Sequence, residues 1–331
     1  MAGAANDELT GSLLKEVSRS FYLSLKVLPR EIRSQISLAY LLARASDTVA
    51  DTRAVPRAAR LDQLRRLRAG DFGPAGALAR DQALPAERRL LERLGECGAR
   101  LAAFSPEDQG RIRAVLDTII EGQIFDLERF PGEGDDRVTA LSDEAELDRY
   151  TYMVAGCVGE FWTRMCHAHL PEFRSLDREE MIRLGIHLGK GLQLINILRD
   201  IPRDLRLGRC YLPVDEPEGL RDPAAFPRIR DEYFRWVDAA AEHLRLGEEY
   251  ALRIPPSLWR VRLACVWPIW IGLGTLALLR RENPLDPERI LMIPTSGVYL
   301  MLARTLLTCR SERRLRLELQ RQREGLAQAA K

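Results

Sequence analysis

The hydrophobic residues of this chain recur with the period of α-helices along almost its whole length, and few windows alternate apolar and polar residues as strands do. Most breaks in the pattern fall at proline or glycine turns. The predicted helices span 8–28, 31–52, 57–69, 85–103, 106–129, 143–169, 177–205, 228–252, 257–281 and 287–320. Since no long linker and no fixed repeat interrupts them, we predict one all-α domain over residues 1–331.

Charge and composition narrow the class of protein. The chain is 46% hydrophobic, which is enough to bury a large core, and its formal net charge is only +2. A dedicated nucleic-acid-binding protein needs a sustained basic excess, so that class is excluded. All but four of the 50 basic residues are arginine, the side chain best shaped for bidentate contact with phosphate oxygens.

Three segments bear on the compartment and on membranes. Met1 to Thr10 has no basic and apolar signal pattern, and the six cysteines form no C-x-x-C pair, so we expect isolated thiols in the cytoplasm. The apolar run from Leu263 to Leu279 holds 17 residues and contains proline and glycine, which favours a buried helix over a membrane span. The basic tail, about 310–331, predicts a solvated helix, with contact to a membrane surface as the alternative.

The first candidate site lies near the end of the predicted helix 31–52. Asp47 and Asp51 are one helical turn apart on one face, and Arg44 and Tyr40 precede them on that face. Two carboxylates at this spacing repel each other, and a bound cation would remove that cost. Alone, the pattern is also typical of an ordinary solvated helix end.

A second acidic pair, Asp200 and Asp204, repeats the same spacing. Gln193 and Asn196 extend its polar stripe along a helix whose neighbouring positions are apolar, and Arg199 precedes the first aspartate. Such a stripe predicts that the helix faces an internal cavity, because buried carboxylates need cations. Twin acidic pairs with nearby arginines therefore indicate Mg²⁺ bridging to a diphosphate.

Four motifs, taken together, resemble the squalene and phytoene synthase family, the head-to-head branch of the isoprenoid synthases. They are Ser18 to Phe21, Arg44 to Asp51, Tyr150 to Gly159, and Gln193 to Arg209 followed by Tyr211-Leu212-Pro213. The similarity covers about residues 17–300, nearly the whole chain. It implies the isoprenoid synthase fold, in which two aspartate-rich motifs face each other across a central cavity.

The resemblance also implies roles for particular residues. The implied ligands of Mg²⁺, with Mn²⁺ as a substitute, are Asp47, Asp51, Asp200 and Asp204. The implied diphosphate-binding residues are Arg19, Arg44, Arg199, Arg209, Tyr40, Gln193 and Asn196. Tyr150 matches the tyrosine assigned a proton-transfer role in forming the cyclopropane intermediate. Without the resemblance, Tyr150 is better interpreted as an amphipathic core residue.

Within the family, the first motif reads Asp-Thr-Val-Ala-Asp, closest to squalene synthases. These enzymes join two farnesyl diphosphates to presqualene diphosphate, which they rearrange and reduce with NADPH to squalene. The alternatives are synthases of presqualene diphosphate, dehydrosqualene or phytoene without reduction and, more remotely, a non-catalytic helical lipid-binding protein. Met153, where eukaryotic squalene synthases have tyrosine, and the absence of a hydrophobic tail favour a bacterial type. We expect peripheral membrane contact at most, and neither nucleic acid nor an obligate protein partner.

Overall fold

A computed structural model of the protein describes residues 8–18, 21–132, 137–289, 291, 302 and 304–329, with side chains as far as residue 324. Most of these residues are helical, and in this part of the chain the strands are two residues long, β1 (Thr139–Ala140) and β2 (Arg209–Cys210). The two strands pair in parallel. The all-α class predicted from the hydrophobic period is confirmed.

The bounds of the helices follow the chain in order. The α-helices are α1 (Leu14–Ser18), α2 (Tyr22–Val27), α3 (Arg30–Asp51), α4 (Arg57–Arg68), α5 (Ala77–Arg80), α6 (Pro85–Glu92), α7 (Leu94–Ala102), α8 (Pro106–Arg129), α9 (Glu144–Thr151), α10 (Cys157–His169), α11 (Arg178–Arg206), α12 (Phe226–Arg253), α13 (Trp259–Leu279) and α14 (Glu312–Ala329). Wide π-helical turns occupy Leu9–Leu13 and Tyr152–Gly156, and short 3₁₀ turns occupy Pro171–Ser175, Pro217–Arg221, Pro223–Ala225 and Pro256–Leu258.

The described residues group into two compact units. One lies within Met1–Glu128 and Arg164–His169, and the other within Arg129–Thr163 and Leu170–Lys331. The first unit is built around α3, which packs on α4, α6 and α7. Its apolar face is buried while Tyr40, Arg44, Asp47 and Asp51 lie on the other face, so the sequence pattern of α3 fixes which side carries the candidate site.

A buried carboxylate ties α8 to its neighbours in the first unit. Asp108, 3% exposed, accepts hydrogen bonds from Gln35 (3.2 Å) and Arg111 (2.7 Å) and lies 2.8 Å from His169. Burial alone would raise the pKa of Asp108, but these partners outweigh it and lower the pKa. The network holds α8 against α3, and α8 in turn reaches the candidate site.

The second unit is organised by α11, α12 and α13, which pack on one another. Of the described helices, the one containing α13 is long and apolar enough to cross a membrane, over Pro256–Leu279, but 72% of its apolar window is buried inside the protein. The prediction of a buried helix over the run from Leu263 therefore agrees with the structure. All six cysteines are free and buried, as their scattered spacing predicts.

Small residues let α11 approach the helix run that contains α10. A Cβ on Gly159 would lie 1.9 Å from the carbonyl oxygen of Gly185, and one on Gly189 would lie 2.2 Å from that of Ala155. No side chain fits at such distances, so the glycines of the Tyr150 to Gly159 motif set how closely the two helices pack.

Two of the predicted helices differ from the structure in their bounds. The one over 85–103 ends and restarts at Arg93, whose backbone (φ −103°, ψ 16°) is not helical. The helix predicted over 8–28 contains a π-turn, and its described residues are helical as far as Val27. Of the helix predicted over 287–320, residues 287–288 form a turn and most of 290–303 lies outside the described residues. Residues 304–308 are helical as predicted, and after a break the last helix begins at Glu312. The N-cap of α9 is Asp143, whose carboxylate accepts from the Glu146 amide (2.8 Å), as expected for a capping residue.

Candidate active site

Asp47 and Asp51 lie in the last turn and a half of α3, where the partial negative charge of the helix end disfavours further anions. Asp47 is half-buried and Asp51 is exposed. Burial, followed by repulsion from the Asp51 carboxylate, raises the pKa of Asp47 to about 6. The charged form of Asp47 is therefore disfavoured in the folded protein, and a bound cation would remove this cost.

A glutamine of α8, which sequence reasoning missed, holds Asp47 in place. The Gln123 amide nitrogen donates to Oδ1 of Asp47 (2.5 Å), and Gln123 itself is only 7% exposed. Its Oε1 is buried with no hydrogen-bond partner among the described residues. Gln123 and the buried Asp126 are three residues apart in an otherwise apolar stretch of α8, the same kind of polar stripe that identified α11.

The other α3 residues already have partners within the first unit. Arg44 forms an ion pair with Glu87 of α6, while its Nε is buried without a hydrogen-bond partner in the described part of the chain. Burial disfavours the Arg44 guanidinium, but the carboxylates of Glu87 and Asp47 outweigh this effect and raise its pKa. The Tyr40 ring stacks on Phe21 at 5.4 Å. Arg19, the other arginine predicted in this region, lies outside the described residues.

On α11 the predicted polar stripe is half-buried along its length, whereas the leucines and isoleucines between its members are buried. The stripe consists of Gln193, Asn196, Asp200 and Asp204. The Arg199 guanidinium donates twice to the Asp200 carboxylate, at 2.7 Å from Nε and from Nη2. The Arg199 guanidinium neutralises the charge of the Asp200 carboxylate, and the hydrogen bonds between them raise the pKa of Arg199. The α11 motif thus has its first carboxylate paired with an arginine, whereas in the α3 motif Asp47 lies beside a second carboxylate.

The segment after α11 turns sharply through Gly208, whose φ of 74° lies in the left-handed region. A Cβ there would lie 2.5 Å from the carbonyl oxygen of Gly132. The turn places Arg209 in β2 opposite Thr139 of β1. The glycine in the Gln193 to Arg209 motif is thus required by the backbone.

Tyr150 is 7% exposed and lies in an aromatic cluster of the second unit. Its ring stacks on Tyr211, with centroids 4.8 Å apart, and Phe130 meets Tyr211 edge-on at 5.1 Å. The structure therefore joins two of the sequence motifs, Tyr150 to Gly159 and Tyr211-Leu212-Pro213. Its burial agrees with the interpretation as a core residue, and the proton-transfer role stays a prediction.

The two acidic pairs, on α3 and α11, are the candidate metal ligands. Within the described ranges, no group of three or more histidine, cysteine, aspartate or glutamate side chains is arranged to hold a metal ion. Each pair supplies carboxylate oxygens, the donors that Mg²⁺ prefers, and Mg²⁺ commonly takes few protein ligands and completes its shell with water and phosphate oxygens. The half-buried Asp47 beside Asp51 fits such an ion, and the metal-ligand roles of all four aspartates stay predictions.

Comparison with solved structures defines the class of the fold. TcSQS, in complex with the ligand BPH1237, superposes with a TM-score of 0.76 at 22% identity, covering 97% of this chain and 91% of that one. The squalene synthase HpnC of Alicyclobacillus acidocaldarius gives a TM-score of 0.58 at 23% identity, covering 84% and 94%. The chain therefore has the all-α isoprenoid synthase fold.

The family follows from the sequence match. The model of the squalene/phytoene synthase family matches residues 14–292, so the chain belongs to this family. It is 33% identical over 210 residues to the presqualene diphosphate synthase of Rhodopseudomonas palustris, covering 63% of each chain. It is 32% identical over 259 residues to that of Zymomonas mobilis, covering 73% of this chain and 76% of the relative. The first of these matches spans less than two thirds of the relative's own length.

Proposed function

We propose that this protein is a Mg²⁺-dependent prenyltransferase that joins two farnesyl diphosphates head to head into presqualene diphosphate. The observation that carries the proposal is the Asp47 and Asp51 pair, a half-buried carboxylate kept near an exposed one with Arg44 beside it. The names of the two relatives and the family to which the chain belongs support the same reaction.

In this proposal the protein's own residues bind and orient the diphosphate. When bound, Mg²⁺ would neutralise the leaving diphosphate, held by the acidic pairs of α3 and α11. Arg44 and Arg199, each now bound to a carboxylate, would turn donors toward the phosphate oxygens. Gln123 would fix the orientation of the Asp47 carboxylate by donating to its Oδ1 throughout.

Tyr150 is proposed to assist proton loss as the cyclopropane ring forms, held in orientation by its stack on Tyr211. Tyr150→Phe keeps the stack and removes the hydroxyl. We expect it to impair the first half-reaction, seen as a lower yield of presqualene diphosphate with unchanged circular dichroism. A normal yield would contradict the role.

The experiment that tests the reaction is a product assay. Purified protein is incubated with farnesyl diphosphate, with and without Mg²⁺, and products are identified by mass. We expect presqualene diphosphate only when Mg²⁺ is present, and none from Asp200→Asn, which removes the charge with little change in shape. Retained turnover in both Asp47→Asn and Asp200→Asn would refute the metal-ligand role, and a folded protein inert under every condition would favour a lipid-binding protein.

Continuation to squalene is a second candidate, favoured by the Asp-Thr-Val-Ala-Asp form of the first motif. Repeating the assay with NADPH separates the outcomes, because reduction converts the intermediate to squalene. Squalene formed only with NADPH supports the second step. Presqualene diphosphate or dehydrosqualene as the sole product with NADPH present rejects it.

We also propose that the enzyme works in the cytoplasm and releases its product, which carries long apolar prenyl chains, at the inner face of the membrane. The support is α14, which exposes Leu317 among arginines on its outer face. Flotation with anionic vesicles, compared with neutral ones, tests this contact, and equal recovery from both would contradict it.

A further inference from the structure

The second unit contains a cavity of about 550 Å³ that the proposed reaction does not use. It is lined by the C-terminal end of α12, the turn that leads to α13, the start of α13, and α14. Its walls are unusually rich in charge. The arginines are Arg245, Arg253, Arg262, Arg316 and Arg323, and the glutamates are Glu248, Glu249 and Glu312. Five arginines line the cavity against three glutamates, and two of the arginines, Arg245 and Arg253, also pair with Glu242 and Glu180 outside this lining.

Arg262 is the buried arginine among the five that line the cavity. It is 1% exposed, and its donors bind backbone carbonyls of Leu252 (2.9 Å), Ile254 and Cys309 (3.2 Å). Carbonyls satisfy hydrogen bonds but do not neutralise charge, and no ion pair with Arg262 occurs in the described part of the chain. Burial lowers its pKa, the direction expected when a buried positive charge has no close counter-ion.

Glu248 supplies the second independent observation. It is 3% exposed and lines the cavity, with Oε2 at 3.2 Å from Nε of Arg323. Its Oε1 is buried with no hydrogen-bond partner among the residues described. Burial raises the pKa of Glu248 to about 7, against the opposing effects of Arg323 and Arg245. Near neutral pH part of the population therefore carries an acid O–H that can donate from the cavity wall, and this part grows as the pH falls.

We propose that this cavity is a binding site for a tetrahedral oxoanion, the phosphate group of a small molecule. The donors that would turn to such oxygens are the guanidinium groups of Arg316, Arg323 and Arg253, which now pair with Glu312, Glu248 and Glu249. Arg262 adds a buried positive charge at the wall, which the Glu312 carboxylate offsets only in part. The protonated form of Glu248 donates to a remaining oxygen. The phosphate comes from inorganic phosphate or diphosphate, or from a nucleotide. This inference does not depend on the proposed reaction.

The test uses sulfate, because it keeps its double charge between pH 6 and 8. Metal-free protein is titrated by calorimetry at constant ionic strength. We expect Arg316→Ala and Arg253→Ala to weaken sulfate binding by about tenfold or more, as for loss of a charge-assisted hydrogen bond. Arg313→Ala is the matched control, since it removes one exposed positive charge of α14 outside the cavity and should leave the affinity unchanged.

A second variant separates this site from the candidate active site. Arg199→Ala alters α11, so sulfate bound there would be lost in Arg199→Ala and kept in the two cavity variants, which would overturn the proposal. Absence of sulfate binding to the wild type, or equal weakening by Arg313→Ala and Arg316→Ala, would also overturn it, because long-range charge alone explains equal effects.

A pH series tests Glu248. Sulfate should bind more tightly to the wild type as pH falls from 8 to 6, because protonation of Glu248 removes a negative charge and creates a donor. Glu248→Gln should bind with affinity that does not change over this range. The two sources of phosphate are then compared by titrating diphosphate, NADPH and NADH. Tighter binding of NADPH than NADH, lost in Arg316→Ala, identifies the nucleotide phosphate, and equal nucleotide binding with tight diphosphate binding identifies the inorganic ion.

Discussion

Replacing Asp47 by asparagine should make the protein more stable while it removes the proposed activity. In the wild type this side chain is half-buried beside Asp51, and its pKa is about 6 against an ordinary value of 3.8. A difference of this size corresponds to at most about 3 kcal/mol of native-state destabilisation when the carboxylate is charged. Asparagine keeps the shape and can still accept from Gln123, so the variant loses the penalty and retains the contact.

The sign depends on pH. The unfolded chain releases its Asp47 proton near pH 4 and the folded protein only near pH 6, so the wild type loses stability as pH rises between these values. Asp47→Asn should therefore melt close to the wild type at pH 4 and several degrees higher at pH 8. Thermal unfolding followed by circular dichroism at several pH values measures the difference directly.

Asp200→Asn is the matched control, because it makes the same chemical change in the other acidic motif. Asp200 is bound by Arg199, with 31% and 27% of the two side chains exposed, so the pair contributes about 0–1 kcal/mol and its loss should not raise stability. The reasoning is refuted if Asp47→Asn melts at or below the wild-type temperature at pH 8, or if both variants shift by the same amount.

Two further changes test the packing and the hydrogen bonds around the site. Gly159→Ala should lower the free energy of unfolding in urea by about 1–3 kcal/mol, because its Cβ would collide with the backbone of Gly185. Gly110→Ala, in an open position of α8, is the control and should be neutral or stabilising by about 0.5–1 kcal/mol. Equal effects of the two changes would show that the close approach is unimportant. Gln123→Ala should raise the pKa of Asp47 further, since the amide that favours its charged form is gone, and NMR titration of the Asp47 carboxyl carbon would detect an unchanged value if the contact is unimportant.

The sequence predicted best where hydrophobic periodicity was long and uninterrupted. The predicted helix over 106–129 coincides with α8, and those over 31–52 and 177–205 match α3 and α11 to within one residue at each end. In each, the buried positions follow the apolar stripe, so the local pattern and the tertiary packing agree. The placement of both acidic pairs on helix faces followed from the same period.

The parts that could not be predicted depend on contacts between residues distant in sequence. Gln123 meets Asp47 only because α8 packs beside α3, and Glu87 reaches Arg44 from a helix that the pattern merged with its neighbour. Arg199 pairs with the adjacent Asp200, yet the sequence alone placed both residues only as ligands of a metal and a phosphate. A spacing specifies which side chains share a face but not which opposite charges bind one another.

The π-helical turn over Tyr152–Gly156 lies between two packing contacts made by the same run of helix. Upstream, Tyr150 must meet Tyr211, and downstream, Gly159 must meet Gly185. A π-turn accommodates one residue more than an α-turn, and each residue rotates an α-helix by about 100°. Deleting Val154 would therefore restore an ordinary α-turn and leave Tyr150 and Gly159 nearly in phase, whereas deleting a residue from the plain α-helix on either side would turn one contact about 100° away from the other.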